Sequence, residues 1–160
     1  MKISKFLVFK IEQQKFAIKT STVINIVEHA KLVHADINSS SEYDSLSFRG
    51  MTLPLINMRE LLGLRSLPSQ INECVLVAEI KVNNTLLIAG ISIDEVLEVA
   101  EIDDFSAYPY IPFASTHKND FREAIIVRNG EPVIIINANK MNFKQIHENI
   151  KVGIKSLSYN

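Results

Sequence analysis

Short apolar blocks of strand length follow one another along most of this chain, each bounded by polar or glycine-containing turns. Phe6-Leu7-Val8-Phe9-Lys10-Ile11 is the first, Glu12-Gln13-Gln14-Lys15 its turn, and Phe16-Ala17-Ile18 its return strand. Lys19-Thr20-Ser21-Thr22 suits one helical turn, and Val23-Ile24-Asn25-Ile26-Val27-Glu28 is β-branched and strand-like. Residues 34–45 are polar and read as a loop. The densest local signal follows. Gly50 supplies the permissive backbone of a tight hairpin, and Leu53-Pro54-Leu55-Ile56 is a strand that Pro54 assigns to a sheet edge. Asn57 suits a helix N-cap, Glu60 its capping-box partner and Gly63 the helix end.

The second half repeats the order of the first. Residues 65–73 form a polar connector holding Pro68. Val75-Leu76-Val77-Ala78-Glu79-Ile80, a turn at Asn83-Asn84 and a return over residues 86–93 make a second hairpin. A β-branched segment ending in glutamate, residues 96–101, matches residues 23–28. After a long loop at residues 103–120, Arg128-Asn129-Gly130-Glu131 is a strong hairpin signal, followed by a strand ending at Asn137. Gly50 and Asn57 stand as far apart as Gly130 and Asn137. Met141, Ile146 and Ile150 suggest an amphipathic C-terminal helix. The order predicts two copies of one small β unit, each closing its edges as a barrel. Apolar residues on both faces of residues 75–77 and 133–136 predict strands buried on two sides at the junction.

Composition narrows the function. At 160 residues, 47% apolar and 22% charged, the chain supports a real core. A net charge of −1 and scattered basic residues give no reason to expect nucleic acid or an anionic membrane. Lys10 and Glu12 cut the first apolar run short of a signal sequence, so a soluble, cytoplasmic protein is expected, without direct membrane insertion. No phosphate loop or nucleophile elbow is present, and the four histidines have no metal-ligand spacing. Neither metal nor cofactor is expected. Cys74 opens an apolar strand and reads as an inert thiol. Asp94, Glu95, Glu98 and Glu101 cluster, but with Ser92 and Ile93 they fit the wet face of a strand. Arg49 at the hairpin bend reads either as an exposed turn residue or as an anchor on the rim of an apolar groove. Tyr108, Tyr110 and Phe113 read as loop packing or as contacts.

Four of these segments, in this order, resemble the CheW-like domain of bacterial chemotaxis coupling proteins. They are Phe48-Arg49-Gly50 with Leu53-Pro54-Leu55-Ile56-Asn57-Met58-Arg59; the opening strands to Glu28; Gly90-Ile91-Ser92-Ile93-Asp94-Glu95-Val96; and Ile134-Ile135-Ile136-Asn137. The likeness runs over about residues 5–143 of a single domain, residues 1–160. It implies a mainly β fold of two five-stranded β-barrel subdomains, at about 15–70 and 75–135, with short helices. The N-terminal strands and C-terminal helix would pack across them. It implies a non-enzymatic adaptor, monomeric when free, that binds the cytoplasmic tip of a methyl-accepting chemoreceptor and the regulatory domain of a CheA-type histidine kinase. Positions implied in partner contact are Val23, Asn25, Arg49, Gly50, Val75, Leu76 and Gly90. The chain departs from the family pattern at Asn57, usually acidic, in its serine-rich loop, and at Asp120-Phe121-Arg122-Glu123, where a glycine is expected. Two alternatives stay open: a divergent CheW-like protein that binds without coupling, and a small hydrolase or transferase using the acidic cluster.

Overall fold

In the computed structural model, residues 2–30, 32–33, 44–65, 74–103, 106–109 and 121–141 are described. The first half holds β1 (Ile3–Ile11), β2 (Gln14–Lys19), a 3-10 turn (Thr20–Thr22), β3 (Val23–Val27), β4 (Leu32–Val33), β5 (Ser45–Phe48), β6 (Met51–Asn57) and α1 (Met58–Leu61). The second half repeats this with β7 (Cys74–Val82), β8 (Thr85–Ile93), β9 (Glu95–Asp103), β10 (Tyr108–Pro109), β11 (Arg122–Arg128), β12 (Glu131–Ile136) and a 3-10 turn (Ala138–Lys140). Three hairpins turn through two successive left-handed residues: Arg49-Gly50, Asn83-Asn84 and Asn129-Gly130. That backbone twist matches the twist of the strands it joins, and Gly and Asn adopt it at least cost.

The strands form two sheets. Sheet 1 has the order β10-β11-β12-β2-β1-β9 and sheet 2 the order β3-β7-β8-β6-β5-β4. In each, the sixth strand is only two residues long, leaving the five-stranded unit expected from the family likeness. Each sheet draws strands from both halves of the chain. The first half lends its β1–β2 hairpin to sheet 1, between β12 and β9, and the second lends β7–β8 to sheet 2, between β6 and β3. Parallel pairs seal both exchanges: Leu55 opposite Gly90, and Ile134 opposite Phe16. A sequence repeat reveals two copies of a unit but not which copy each hairpin joins.

Three apolar layers follow from strand alternation. Phe6, Val8, Ala17, Ala100, Ile126 and Val133 fill the inside of sheet 1. Leu46, Leu53, Leu55, Val75 and Val77 fill the inside of sheet 2. Leu7, Phe9, Phe16, Ile18, Leu76, Ile80, Ile91 and Ile136 form the layer between them. There the rings of Phe9 and Phe16 stack with centroids 5.7 Å apart. β7 and β12 send alternate side chains into different layers, as their two-sided apolar pattern predicted. Sheet 1 curls on itself. Arg128 on β11 donates to Glu98 on β9 at 2.7 and 3.1 Å, although the two strands lie near opposite ends of the sheet.

Pro54 does not mark an edge, because β6 lies between β8 and β5. Leu55 N–H donates to Asp44 O at 3.0 Å, and ladder bonds to one neighbour come from alternate residues. The N–H that Pro54 lacks therefore falls on the β8 side, where pairing begins only at Leu55. Ser92 and Ile93 are also buried, so the expected wet strand face starts later, at Asp94. The serine-rich loop at 34–43, Tyr110, Phe113, and Ile146 and Ile150 of the expected C-terminal helix lie outside the described residues.

Candidate protein-binding site

Five of the seven positions implied in partner contact gather on three neighbouring strands of sheet 2. Val23 and Asn25 are on β3, Val75 and Leu76 on β7, and Gly90 on β8. Arg49 and Gly50 stand apart, at the tip of the β5–β6 hairpin. A β-bulge between Val23 and Asn25 sets Val23 opposite Ala78 and Asn25 opposite Val77. The extra residue puts two positions that would share a face on opposite faces of the sheet. Val23 packs on the layer between the sheets, whereas the Asn25 side chain accepts the Ile26 N–H at 2.7 Å.

Burial divides the set. Val75 and Leu76 are fully buried, and Gly90 is buried beside them. A Cβ at Gly90 would stand 2.9 Å from Val75 Cγ1 and 3.1 Å from Leu55 Cδ1. These three shape the sheet from inside. Val23 and Asn25 are half-buried, and Arg49 and Gly50 are exposed. Arg49 holds a left-handed backbone (φ 48°), uncommon outside glycine, and its guanidinium lies 4.9 Å from the centre of the Phe48 ring.

Sequence reasoning missed the apolar surface around these residues. Ile24 and Ile26 on the edge strand β3 are 43% and 39% exposed, and Met51, next to the Arg49 turn, is 45% exposed. For Ile24 and Ile26 the signal was an apolar segment, broken only by Asn25, on a strand with one neighbour among the described residues, and the neighbour count is not visible in the sequence. Tyr108 is 70% exposed at the far edge of sheet 1, which favours its contact reading over packing.

Three of the four carboxylates in the acidic cluster are paired with cations. Glu95 pairs with Lys10 at 3.0 Å, and Glu98 with Arg128. Asp94 receives the Arg59 fork, Nη2 to Oδ2 at 2.6 Å and Nε to Oδ1 at 3.0 Å, while Arg59 Nη1 reaches Glu12 Oε1 at 2.8 Å. The bonds to Asp94, reinforced by Glu12, raise the Arg59 pKa further against the opposing cost of burial. Burial, with a smaller push from Glu28, raises the Cys74 thiol and keeps it a poor nucleophile. Among the described residues, no group of His, Cys, Asp and Glu is arranged to hold a metal ion, and no helix is long and apolar enough to cross a membrane.

Fold and site define a double-sheet β domain, assembled from two repeats that exchange hairpins, with Arg49, Met51, Ile24 and Ile26 exposed on sheet 2. Residues 5–143 match the CheW-like domain, and the chain belongs to that family. Among solved structures, the crystal structure of the scaffolding protein TtCheW from Thermoanaerobacter tengcongensis is similar, with a TM-score of 0.69. The match covers 89% of this chain and 97% of that one at 22% identity, and it bears on the fold. No curated protein matches the sequence.

Proposed function

We propose that this protein is a chemotaxis-type adaptor that couples the cytoplasmic tip of a chemoreceptor to the regulatory domain of a CheA-type histidine kinase, by binding alone. One observation carries the reading: in a CheW-like domain whose interior is filled, sheet 2 leaves Arg49, Met51, Ile24 and Ile26 facing solvent. Exposed aliphatic side chains and a planar guanidinium on one sheet suit the apolar stripe and polar flank of a partner helix. Val23 and Asn25 adjoin Ile24 on β3, Gly50 lets the hairpin turn, and Val75, Leu76 and Gly90 hold the strands in register. No reaction is assigned to the protein. Of the carboxylates in the acidic cluster, Asp94, Glu95 and Glu98 are paired with Arg59, Lys10 and Arg128. On this reading the protein acts in the cytoplasm and transmits by geometry, holding receptor and kinase so that a shift in one biases the other.

The test is Arg49→Glu titrated against a receptor cytoplasmic fragment. Receptor binding is expected to weaken about tenfold or more, with the unfolding midpoint unchanged, because a charge reversal at an exposed anchor acts on the complex and not on the core. Parental affinity in a folded variant removes Arg49 from the site. The non-coupling alternative has one observation in its favour: Asn57, neutral where the family is usually acidic, is engaged in capping α1. Reconstituting kinase activity with receptor, kinase and this protein separates the two, since only a coupler makes kinase output follow the receptor.

A further inference from the structure

Arg59 stands where three elements meet. It lies in the first turn of α1, directly after β6, and its side chain is only 12% exposed. It grips Asp94, at the corner where β8 leaves sheet 2 and β9 enters sheet 1, and Glu12, in the β1–β2 turn of sheet 1. Asp94 is held in turn. Its Oδ2 accepts the Glu12 N–H at 2.7 Å, and its own N–H donates to Lys10 O at 3.2 Å. A two-bond fork on a carboxylate fixes orientation as well as distance, which a single ammonium contact does not. β6 runs from the Arg49-Gly50 turn to this point in seven residues, about 23 Å of extended chain. One end of the strut is the exposed hairpin, the other the junction between the sheets.

We propose that Arg59, through Asp94 and Glu12, is a positioning residue that locks the two sheets in one relative orientation and thereby carries a displacement of the β5–β6 hairpin into sheet 1. The inference rests on the coupling function proposed above, which needs the two units to move as one body. The side chain touches no partner. It acts by holding the end of β6 against sheet 1.

The test uses the full-length chain with Arg59→Gln, Asp94→Asn and Arg59→Lys. Spin labels at Ser47 in sheet 2 and Val127 in sheet 1, in a Cys74→Ala background, report the distance between the units; both positions are exposed. Arg59→Gln and Asp94→Asn are expected to broaden that distance distribution, with Arg59→Lys intermediate. Binding of the receptor fragment and of the kinase regulatory domain should stay within about twofold of the parent. Receptor-dependent kinase control should fall about fivefold or more, the size of an ordinary coupling term. A merely structural role would lower binding and control together. The proposal is overturned if the distance distribution stays narrow in a folded variant, or if control stays at the parental level although it has broadened. If the parent itself fails to couple, the proposed function is what has failed, and the distance measurement still decides whether Arg59 locks the sheets.

Discussion

Gly90 lies where sheet 2 leaves too little room for a side chain. A Cβ built there meets Val75 Cγ1 at 2.9 Å, Leu55 Cδ1 at 3.1 Å and Leu46 Cδ2 at 3.3 Å, all side chains of the packed interior. Gly90→Ala is therefore expected to destabilise the protein by about 1–3 kcal/mol through overpacking, read as a lower midpoint in urea at unchanged slope. An unchanged midpoint would mean that β7 and β6 part without cost. Residues whose role is local were legible from the sequence. Gly50 and Gly130 have φ of 77° and Gly63 of 70°, each where a turn or helix end was expected. Arg59 was legible only as part of a family motif, because its partners Asp94 and Glu12 are 35 and 47 residues away and no local pattern joins them.

At the scale of elements, α1 shows how closely a short helix depends on its ends. Four residues make too little helix to persist alone. Asn57 Oδ1 accepts the N–H groups of Arg59 and Glu60 at 3.0 and 3.3 Å, and at the other end Leu64 N–H donates to Arg59 O and Gly63 N–H to Glu60 O. The second pair of bonds is a complete Schellman closure. Asn57→Ala should cost about 1 kcal/mol in chemical unfolding, while Asn57→Asp, which keeps the acceptor, should cost a few tenths at most. Equal losses in both variants would show that the cap does not hold the helix. The cap was visible in sequence because it spans four positions. The location of β6 was not, since Pro54 excludes a hydrogen bond on one side only and the sequence does not say which side has a neighbour.

For the whole molecule, the exchange of hairpins makes each sheet depend on both halves of the chain. Sheet 1 draws β1 and β2 from the first half, and sheet 2 draws β7 and β8 from the second. Cutting the chain in the connector, after a protease site is introduced within residues 66–73, should leave the two fragments associated through size-exclusion chromatography until denaturant is added. Fragments that separate in native buffer would refute the exchange. The sequence by itself determined most of the longer strands, their turns, the caps and the count of two repeats, because each is set by residues a few positions apart, whereas the two-residue strands β4 and β10 were not read from it. Family membership was also legible there, since four motifs keep their order along the chain. Only the tertiary structure decided which repeat each hairpin completes, which apolar strand lacks a second neighbour, and which carboxylate meets Arg59. Those outcomes turn on burying the layer between the sheets, and that burial depends on contacts between residues far apart in the chain.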